Sequence, residues 1–253
     1  NPSTGLISGT LDNSASQGGP GSDGVYSVTV TANDGNGGTV SDTFTYTVGN
    51  PVPVAQDNSY TVGEDAGAAV IGNALSDNTG AGVDSDPDGD TLVVTAQTGV
   101  TGSNGGVFSI DAAGVITFDP NGDFEDLAVG ESATTTLSYE ISDGEGGTDT
   151  ATITVTVNGA NDVPEVVPGN QIPDQNDNDN EVITLIDVTG AFTDVDNSDV
   201  LTYTATGLPA GLTLNPSTGV ISGTLDNSAS QGGPGGNGVY SVTVTANDGT
   251  GGT

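Results

Sequence analysis

The chain has 253 residues, including 34 Asp or Glu but no Lys, Arg or His, and its formal net charge is −34. Cys, Met and Trp are also absent. This composition excludes a Ser-His-Asp triad, a thiolate nucleophile, a Schiff base and imidazole-ligated zinc. It also removes the cationic contacts through which proteins bind nucleic acid and anionic lipid.

A carboxylate-pair hydrolase is the enzyme class that the composition still allows. The sequence contains neither an Asp-Thr-Gly nor an Asp-Ser-Gly motif, and it has no Trp on which a sugar could stack. No apolar run approaches the ~20 residues of a membrane span. We therefore predict a protein that is not an enzyme, does not bind nucleic acid and does not insert into a membrane.

Several segments alternate strictly between apolar and polar residues. Val25–Thr31, Thr43–Val48 and Thr152–Val157 each place apolar side chains on one face and mostly Thr on the other. Such alternation predicts antiparallel strands with one buried face and one solvated face. The low hydrophobic content, 32%, with charge of a single sign also fits a disordered chain, above all without a bound cation.

The acidic residues gather in runs such as Asp84–Asp90 and Asp194–Asp199. Repulsion between so many like charges opposes a compact state. Hard cations, which prefer oxygen ligands, relieve it. Because there are no cysteines for disulfides, metal sites are the obvious means of stabilising a secreted chain. The sequence therefore predicts an extracellular, calcium-loaded protein.

The first 39 residues recur at 215–253 with four differences. Near-identity at a long spacing indicates a tandem array. We predict the second half of a sandwich at 1–50, a complete sandwich at 51–159, and at 160–253 a sandwich that lacks its last strand. Val40–Val48 supplies that strand in sequence. Because the chain begins and ends at the same phase, we expect it to be an interior window of a longer array.

Two resemblances cover essentially the whole chain. Residues 201–224 resemble the dystroglycan-type cadherin-like domain, also called the Putative Ig domain of bacterial surface proteins. Residues 53–65, 86–92 and 118–126 resemble the cadherin-like repeats of very large bacterial adhesins. The resemblance implies an all-β fold of tandem Ig-like or cadherin-like antiparallel β-sandwiches arranged end to end, outside the cell or on a bacterial cell surface.

In cadherins, calcium lies at the junction between consecutive domains, and the resemblance carries this ligand pattern onto two places in the chain. The implied Ca²⁺ ligands at the junction near 160 are Glu64, Glu125, Asp126, Asn161, Asp162, Asp194, Asp196 and Asp248. Those at the junction near 50 are Asp12, Asn50, Asp86, Asp88 and Asp143. The linker there has Pro51 where the linker near 160 has Asp162, so we expect fewer or weaker ions near 50. The competing interpretation is that these clusters are only turns.

The sequence favours a calcium-stiffened structural or adhesive repeat of a large bacterial surface or filament protein. Its expected partners are further copies of the same repeat, in the same chain or head to tail, and cell-surface or matrix ligands. Two alternatives stay open: a carbohydrate- or partner-binding module, and a subunit that assembles itself into an extracellular filament.

Overall fold

The computed structural model describes residues 1–251, and its regular structure is nearly all β. The strand ladders are antiparallel. The helices of the described residues are three short 3₁₀ turns, and none is long and apolar enough to cross a membrane. They span Ala15–Gln17, Thr189–Ala191 and Ala229–Gln231. The predicted all-β fold class is confirmed.

The chain divides into two compact units. Unit one comprises Asn1–Tyr60, Gly67–Asp119 and Thr134–Val155. Unit two comprises Thr61–Ala66, Pro120–Ala133 and the described part of Thr156–Thr253. This division passes through residues 51–159, so the three predicted domains stay a prediction.

The middle of the chain forms two four-stranded sheets with the strand orders β3-β10-β9-β5 and β4-β8-β7-β6. The strands of the first sheet are β3 (Asn58–Gly63), β5 (Val93–Val94), β9 (Ser132–Ser142) and β10 (Thr148–Asn158). Those of the second are β4 (Ala69–Asn73), β6 (Gln97–Thr101), β7 (Val107–Ile110) and β8 (Val115–Asp119).

The core of unit one follows from the alternation in these strands. Ile153 and Val155 of β10 are fully buried, while the Thr residues between them are only partly buried. Phe108 and Phe118 pair across β7 and β8 with ring centroids 4.6 Å apart. Aromatic pairs at this distance add to the free energy gained from burial. Strand alternation therefore builds a well-packed, if small, core.

The first two strands form a separate hairpin in unit one. β1 (Val25–Asn33) pairs with β2 (Thr39–Thr47) along their whole length. Every residue of β2 is exposed, including Phe44 and Tyr46. Within the described residues the two strands form a sheet of their own. The apolar face that the sequence predicts is present, but it is not covered.

Unit two contains three small sheets, ordered β11-β13, β12-β16-β15 and β14-β17. Its core includes Val188, Tyr203, Ile221 and Leu225. The strands are β11 (Glu165–Val166), β12 (Ile186–Asp187), β13 (Phe192–Thr193), β14 (Thr202–Thr206), β15 (Leu212–Asn215), β16 (Val220–Gly223) and β17 (Thr243–Asn247).

The repeated segments, 1–39 and 215–253, share their local turns. The hydroxyl of Tyr26 donates to the carbonyl of Ala15 (2.8 Å), and Tyr240 makes the same bond to Ala229 (3.1 Å). The glycine after each 3₁₀ turn lies so close to this hydroxyl that a Cβ there would collide with it. Short-range hydrogen bonds therefore give both copies the same loop.

Candidate metal sites

Six carboxylates of unit two form what we call the 160 cluster: Glu64, Asp162, Asp194, Asp196, Asp199 and Asp248. They fall into two triads, and in each triad one oxygen from every residue lies within 4.8 Å of the others. The first triad is Glu64, Asp162 and Asp196. The second is Asp194, Asp199 and Asp248. Like charges at these distances repel strongly in a partly buried setting.

The backbone around residue 160 holds Glu64 in place. The Glu64 N–H donates to the carbonyl of Asn158 at the end of β10 (3.0 Å), which extends the pairing of β3 by one residue. The N–H of Ala160 then donates to the Glu64 side chain (2.6 Å). The Glu64 side chain is 2% exposed. Strand pairing thus delivers a buried glutamate to the linker.

The loop after β13 supplies the Asp-x-Asp pair. The N–H of Asp196 donates to Asp194 Oδ1 (3.1 Å), a short-range turn that fixes both carboxylates. The N–H of Asp162 donates to the other carboxylate, at Asp196 Oδ2 (3.0 Å). The linker and the Asp-x-Asp loop are therefore joined by hydrogen bonds through the carboxylates themselves.

Asn161 connects the linker to the second triad. Its side-chain N–H₂ donates to Asp248 Oδ2 (3.0 Å) and to the carbonyl of Asp162 (2.8 Å). The other oxygen of Asp248 accepts the N–H groups of Thr250 (2.8 Å) and Gly251 (3.0 Å). The Thr250 hydroxyl bonds Asn161 Oδ1. The loop after β17 is thus folded around Asp248.

Crowding changes the proton affinity of this cluster. Burial raises the pKa of Glu64, and the charge of Asp162 raises it further. Burial and the charge of Asp196 raise the pKa of Asp162. Burial and neighbouring carboxylates, with Asp196 first, also raise the pKa of Asp199. A raised carboxyl pKa means that the site holds negative charge at a cost in free energy.

Several buried oxygens of the 160 cluster have no hydrogen-bond donor. They are Glu64 Oε2, Asp162 Oδ2, Asp194 Oδ2 and Asp196 Oδ1. Buried polar atoms are nearly always paired, so each such oxygen calls for a partner. Calcium takes 6–8 oxygens, carboxylates and side-chain amides among them. The donor set, the spacing and the unpaired oxygens therefore fit Ca²⁺.

Two residues that were predicted as ligands near 160 lie outside the triads. Asp126 binds the side chain of Asn197 (3.0 Å), at the edge of the Asp-x-Asp loop. Glu125 is close enough for its charge to raise the pKa of Glu64. The structure thus brings both to the neighbourhood of the 160 cluster without joining them to either triad.

A second group, which we call the 86 cluster, comprises Asp86, Asp88 and Asp90 of unit one. One oxygen from each lies within 4.8 Å of the others. The N–H groups of Asp88 (3.0 Å), Gly89 (3.0 Å) and Asp90 (3.2 Å) all donate to Asp86 Oδ1. One short loop therefore gathers all three carboxylates.

Two neutral side chains complete the surroundings of the 86 cluster. The hydroxyl of Ser16 donates to Asp88 (3.0 Å), and the amide of Gln17 donates to both oxygens of Asp90 (2.6 and 2.5 Å). Asp86 Oδ2 and Asp88 Oδ1 are buried and have no donor as long as both carboxyl groups are ionised. This cluster also fits a cation, with fewer carboxylates than the 160 cluster.

The side chains of Asp86 and Asp88 share a hydrogen bond that shifts their pKa values in opposite directions. Burial pushes the pKa of Asp86 up, but a hydrogen bond shared with the Asp88 side chain and three backbone N–H donors outweigh it, so the pKa is lowered. The same shared hydrogen bond, together with burial, raises the pKa of Asp88. The pair therefore holds a proton on the Asp88 side more readily than an isolated aspartate does.

The remaining predicted ligands near 50 behave differently from one another. The Asn50 amide donates to Asp143 (2.8 Å), while Asn50 Oδ1 is buried without a donor. Asp143 also accepts the N–H groups of Glu145 and Gly147. Asp12, by contrast, is exposed, accepts the N–H and hydroxyl of Ser14, and belongs to none of the three triads.

Sequence reasoning missed two members of the triads, Asp90 and Asp199. Both stand inside the acidic runs that the sequence singles out, Asp84–Asp90 and Asp194–Asp199. Their sequence position alone gives a usable signal, because each lies two or three residues after the Asp-x-Asp pair of its loop. Which of the later aspartates turns inward depends on how the loop closes.

Two family models match the chain. The bacterial cadherin-like domain matches residues 50–159, and the Putative Ig domain matches residues 1–49 and 164–253. No curated protein matches the chain.

Solved structures of cadherin repeats are similar to it. A protocadherin gammaB7 EC3-6 cis-dimer structure is 17% identical with a TM-score of 0.43, and the match covers 79% of this chain and 50% of that one. The human CDH23 EC21-23 structure is 16% identical with a TM-score of 0.45, and the match covers 78% of this chain and 68% of that one. The structure of protocadherin gamma B2 extracellular cadherin domains 1-5 is 17% identical with a TM-score of 0.47, and the match covers 86% of this chain and 43% of that one. The chain thus spans half the length of the first of these relatives. The family matches confirm both resemblances seen in the sequence. The chain belongs to the Putative Ig domain family, and a bacterial cadherin-like domain lies between its two Putative Ig segments.

Proposed function

We propose that this chain is a calcium-stiffened structural repeat of an adhesive protein on a bacterial surface. The observation that carries the proposal is the set of seven buried side-chain oxygens without a hydrogen-bond donor in residues 1–251, six of them in the two acidic clusters and the seventh on Asn50. No Lys, Arg or His exists in the sequence to pair with them. A cation from solution would satisfy these oxygens and neutralise their charge, which supports the proposal.

Calcium suits the two clusters better than magnesium. Magnesium demands near-ideal octahedral geometry and gives up its water reluctantly, whereas calcium accepts 6–8 oxygens in flexible arrangements. The 160 cluster offers carboxylates from a strand end, a linker and two loops, which is an irregular but oxygen-rich set. We therefore assign calcium to it.

Stiffening follows from the positions of the ligands along the chain. Glu64 lies before the linker at 160, while Asp196 and Asp248 follow it. An ion that binds Glu64, Asp162 and Asp196 together is chelated by both predicted domains. Because a bound ion stabilises only the state in which its ligands converge, it holds the linker in one conformation.

The experiment compares the 253-residue chain in calcium, in magnesium and in chelator, by thermal unfolding and by small-angle X-ray scattering. Binding to the folded state alone adds about 2.7 kcal/mol of stability at a hundredfold excess over the dissociation constant. We expect calcium to raise the melting temperature and to narrow the range of particle dimensions, and magnesium to do so much less. Melting and scattering curves that coincide in calcium and chelator contradict the proposal.

A further inference from the structure

Five asparagines of the chain are directly followed by glycine: Asn36, Asn104, Asn121, Asn158 and Asn237. In such a pair the backbone nitrogen of the glycine can attack the side-chain carbonyl carbon of the asparagine, because glycine has no Cβ to block the approach. The attack needs a glycine N–H that is free of hydrogen bonds and an asparagine side chain that can rotate. The structure therefore decides which of the five pairs can react in the folded chain.

The glycine nitrogens of two pairs are held by the backbone. The N–H of Gly159 donates to the carbonyl of Glu131 (3.0 Å), and a Cβ on Gly159 would lie 2.2 Å from the carbonyl oxygen of Leu127. The N–H of Gly238 donates to the carbonyl of Gly232 (3.0 Å). Both hydrogen bonds must open before the nitrogen can attack, so these pairs react only through local unfolding.

Two further pairs are held by a side-chain bond or by a closed turn. The Asn104 side-chain N–H₂ donates to the carbonyl of Thr134 (2.7 Å), and the Gly105 N–H donates to the carbonyl three residues before it (3.3 Å). Asn121 has a φ of 58° inside the turn 120–123, which a backbone hydrogen bond of 3.1 Å closes. These pairs also have to open before they can react.

Asn36 lies in the loop between β1 and β2, and its surroundings are different. Among residues 1–251, neither the Asn36 side chain nor the N–H of Gly37 takes part in a hydrogen bond, and both residues are exposed. A Cβ on Gly37 would meet nothing within 4 Å. The loop therefore leaves the nitrogen free, the side chain able to rotate and room for a ring.

The loop takes this shape from its own residues. Asp34 Oδ1 accepts the N–H of Asn36 (2.8 Å) and the N–H of Gly38 (2.9 Å), and the Asp34 N–H donates to the carbonyl of Gly38 (3.1 Å). These bonds hold the residues on either side of Gly37 and leave its nitrogen out. Since all three lie within 34–38, the loop itself presents the reactive pair.

We propose that Asn36 and Gly37 form a modification site at which the folded chain deamidates without an enzyme. The Gly37 nitrogen forms a bond to Cγ of Asn36, the bond from Cγ to Nδ2 breaks, and ammonia leaves with the proton of the Gly37 N–H. Water then opens the cyclic imide at either of its carbonyls, which gives an aspartate or an isoaspartate. The proposal does not rest on the calcium sites, because neither residue belongs to an acidic cluster.

The products differ from the original turn in charge and in backbone length. Either product adds a negative charge beside Asp34, and the sequence has no Lys, Arg or His to pair with it. Isoaspartate also lengthens the backbone by one carbon next to the last pair of the β1–β2 ladder, where Asn33 stands opposite Thr39. The reaction therefore alters the one turn that joins β1 to β2.

The test incubates the folded 253-residue chain in mildly alkaline buffer and locates the change by peptide mapping. Trypsin cannot cut a chain without Lys or Arg, but an endoproteinase that cleaves before Asp releases residues 34–41 as one peptide. Deamidation to aspartate creates a new cut before residue 36, and deamidation to isoaspartate raises the mass of the uncut peptide. The same map follows the other four asparagines.

Two controls accompany the folded chain. Asn36→Thr removes the reacting amide and keeps the loop, because Thr250 occupies the equivalent position of the repeated copy and its N–H makes the same bond to Asp248 (2.8 Å). The original chain unfolded in urea shows how the five pairs react without the fold.

We expect Asn36 to deamidate at least about tenfold faster than each of the other four asparagines in the folded chain, because those must first open locally. In urea the five rates should become similar, since glycine follows all five. Asn36→Thr should abolish the fast release of ammonia with an unchanged melting temperature. Five similar rates in the folded chain overturn the proposal, and so does an Asn36 that reacts only in urea.

Discussion

The 160 cluster and the 86 cluster are built on the same kind of loop but differ in what closes them. In both, an Asp-x-Asp pair is fixed by the second N–H donating to the first carboxylate, 3.1 Å at Asp194 and 3.0 Å at Asp86. In both linkers an Asn amide donates to the aspartate of a later loop, Asp248 or Asp143.

The difference lies in the linker and in the segment before it. Near 160 the linker continues with Asp162, and buried Glu64 joins it. Near 50 the linker continues with Pro51, which has no N–H, and the neutral side chains of Ser16 and Gln17 contact the acidic loop. A shared loop therefore sets where the carboxylates converge, while its neighbours set how much negative charge a cation proposed to bind there would meet.

Among the variants considered, Asp162→Asn should cause the largest loss of calcium stabilisation at the 160 cluster. It removes a carboxylate from the first triad while keeping the size of the side chain. We expect loss of most of the calcium stabilisation, about 2.7 kcal/mol at a hundredfold excess of ion, or about 5–10 °C in melting temperature. In chelator the variant should be more stable than the original chain, because one of the repelling charges is gone.

The matched control for Asp162→Asn is Asp177→Asn, which removes one charge at an exposed position outside both clusters. Differential scanning calorimetry in calcium and in chelator separates the two. Equal losses in both variants would show that net charge, and not the triad, governs the calcium response.

Asp88→Asn tests the 86 cluster and should have a smaller effect. Because this cluster has one triad and two neutral neighbours, we expect roughly tenfold weaker binding at this site, about 1.4 kcal/mol. Calorimetric titration with calcium measures it. The chain supplies the control, Asp23→Asn, since the repeated copy has Asn237 at that position and keeps the same turn. A larger loss for Asp88→Asn than for Asp162→Asn would reverse the ranking of the two clusters.

Lowering the pH should change the free energy of unfolding differently for the calcium-free protein and for the calcium-bound protein. The folded state raises the pKa of Glu64 and Asp162, so above the ordinary carboxyl pKa of about 4 it binds more protons than the unfolded state does. The free energy of unfolding without calcium then rises as pH falls from 7 towards 5. Calcium competes with these protons, so its stabilisation should shrink over the same interval.

Melting curves at several pH values in chelator and in calcium measure both trends. Asp162→Asn serves as the control and should flatten the pH dependence in chelator. A calcium-free melting temperature that falls steadily from pH 7 to pH 5 would contradict the assignment of repulsion to these carboxylates.

Pro51→Asp should have the smallest effect on calcium binding among these variants, and it alters the linker difference directly. It gives the linker near 50 the Asn-Asp sequence of Asn161 and Asp162. By analogy with Asp162, whose N–H donates to Asp196, the new residue gives this linker a backbone N–H, and its carboxylate offers one more oxygen ligand. We expect a severalfold rise in calcium affinity at the 86 cluster, measured by the same titration, with Pro51→Asn as the uncharged control. No gain over Pro51→Asn would mean that the linker carboxylate does not reach the ion.

The acidic runs predict the location of both clusters but not their membership. The cadherin resemblance implies Asp12 as a ligand near 50, and the described structure leaves it outside the three triads. Its carboxylate accepts the N–H of Ser14, and Asp226 does the same for Ser228 in the repeated copy. An Asp followed two residues later by Ser commonly forms such a turn. Asp199 joins a triad only because its loop closes towards the loop after β17, which no local pattern encodes.

The two copies of the repeat share the features that their common local sequence encodes. Both have the 3₁₀ turn and the same tyrosine hydroxyl bond to an alanine carbonyl, with Gly19 and Gly233 at φ 84° and 79°. These features are satisfied by hydrogen bonds that span at most eleven residues, so they form alike in both copies.

Burial and strand length were decided by the tertiary structure alone. Ile7 is 68% exposed, while the equivalent Ile221 is 3% exposed because β12 and β15 flank its strand. β1 runs over nine residues beside β2, whereas the identical segment yields only the five-residue β17 beside β14. A strand needs hydrogen-bond partners and apolar neighbours from distant parts of the chain, so the same residues form different strands where those partners differ.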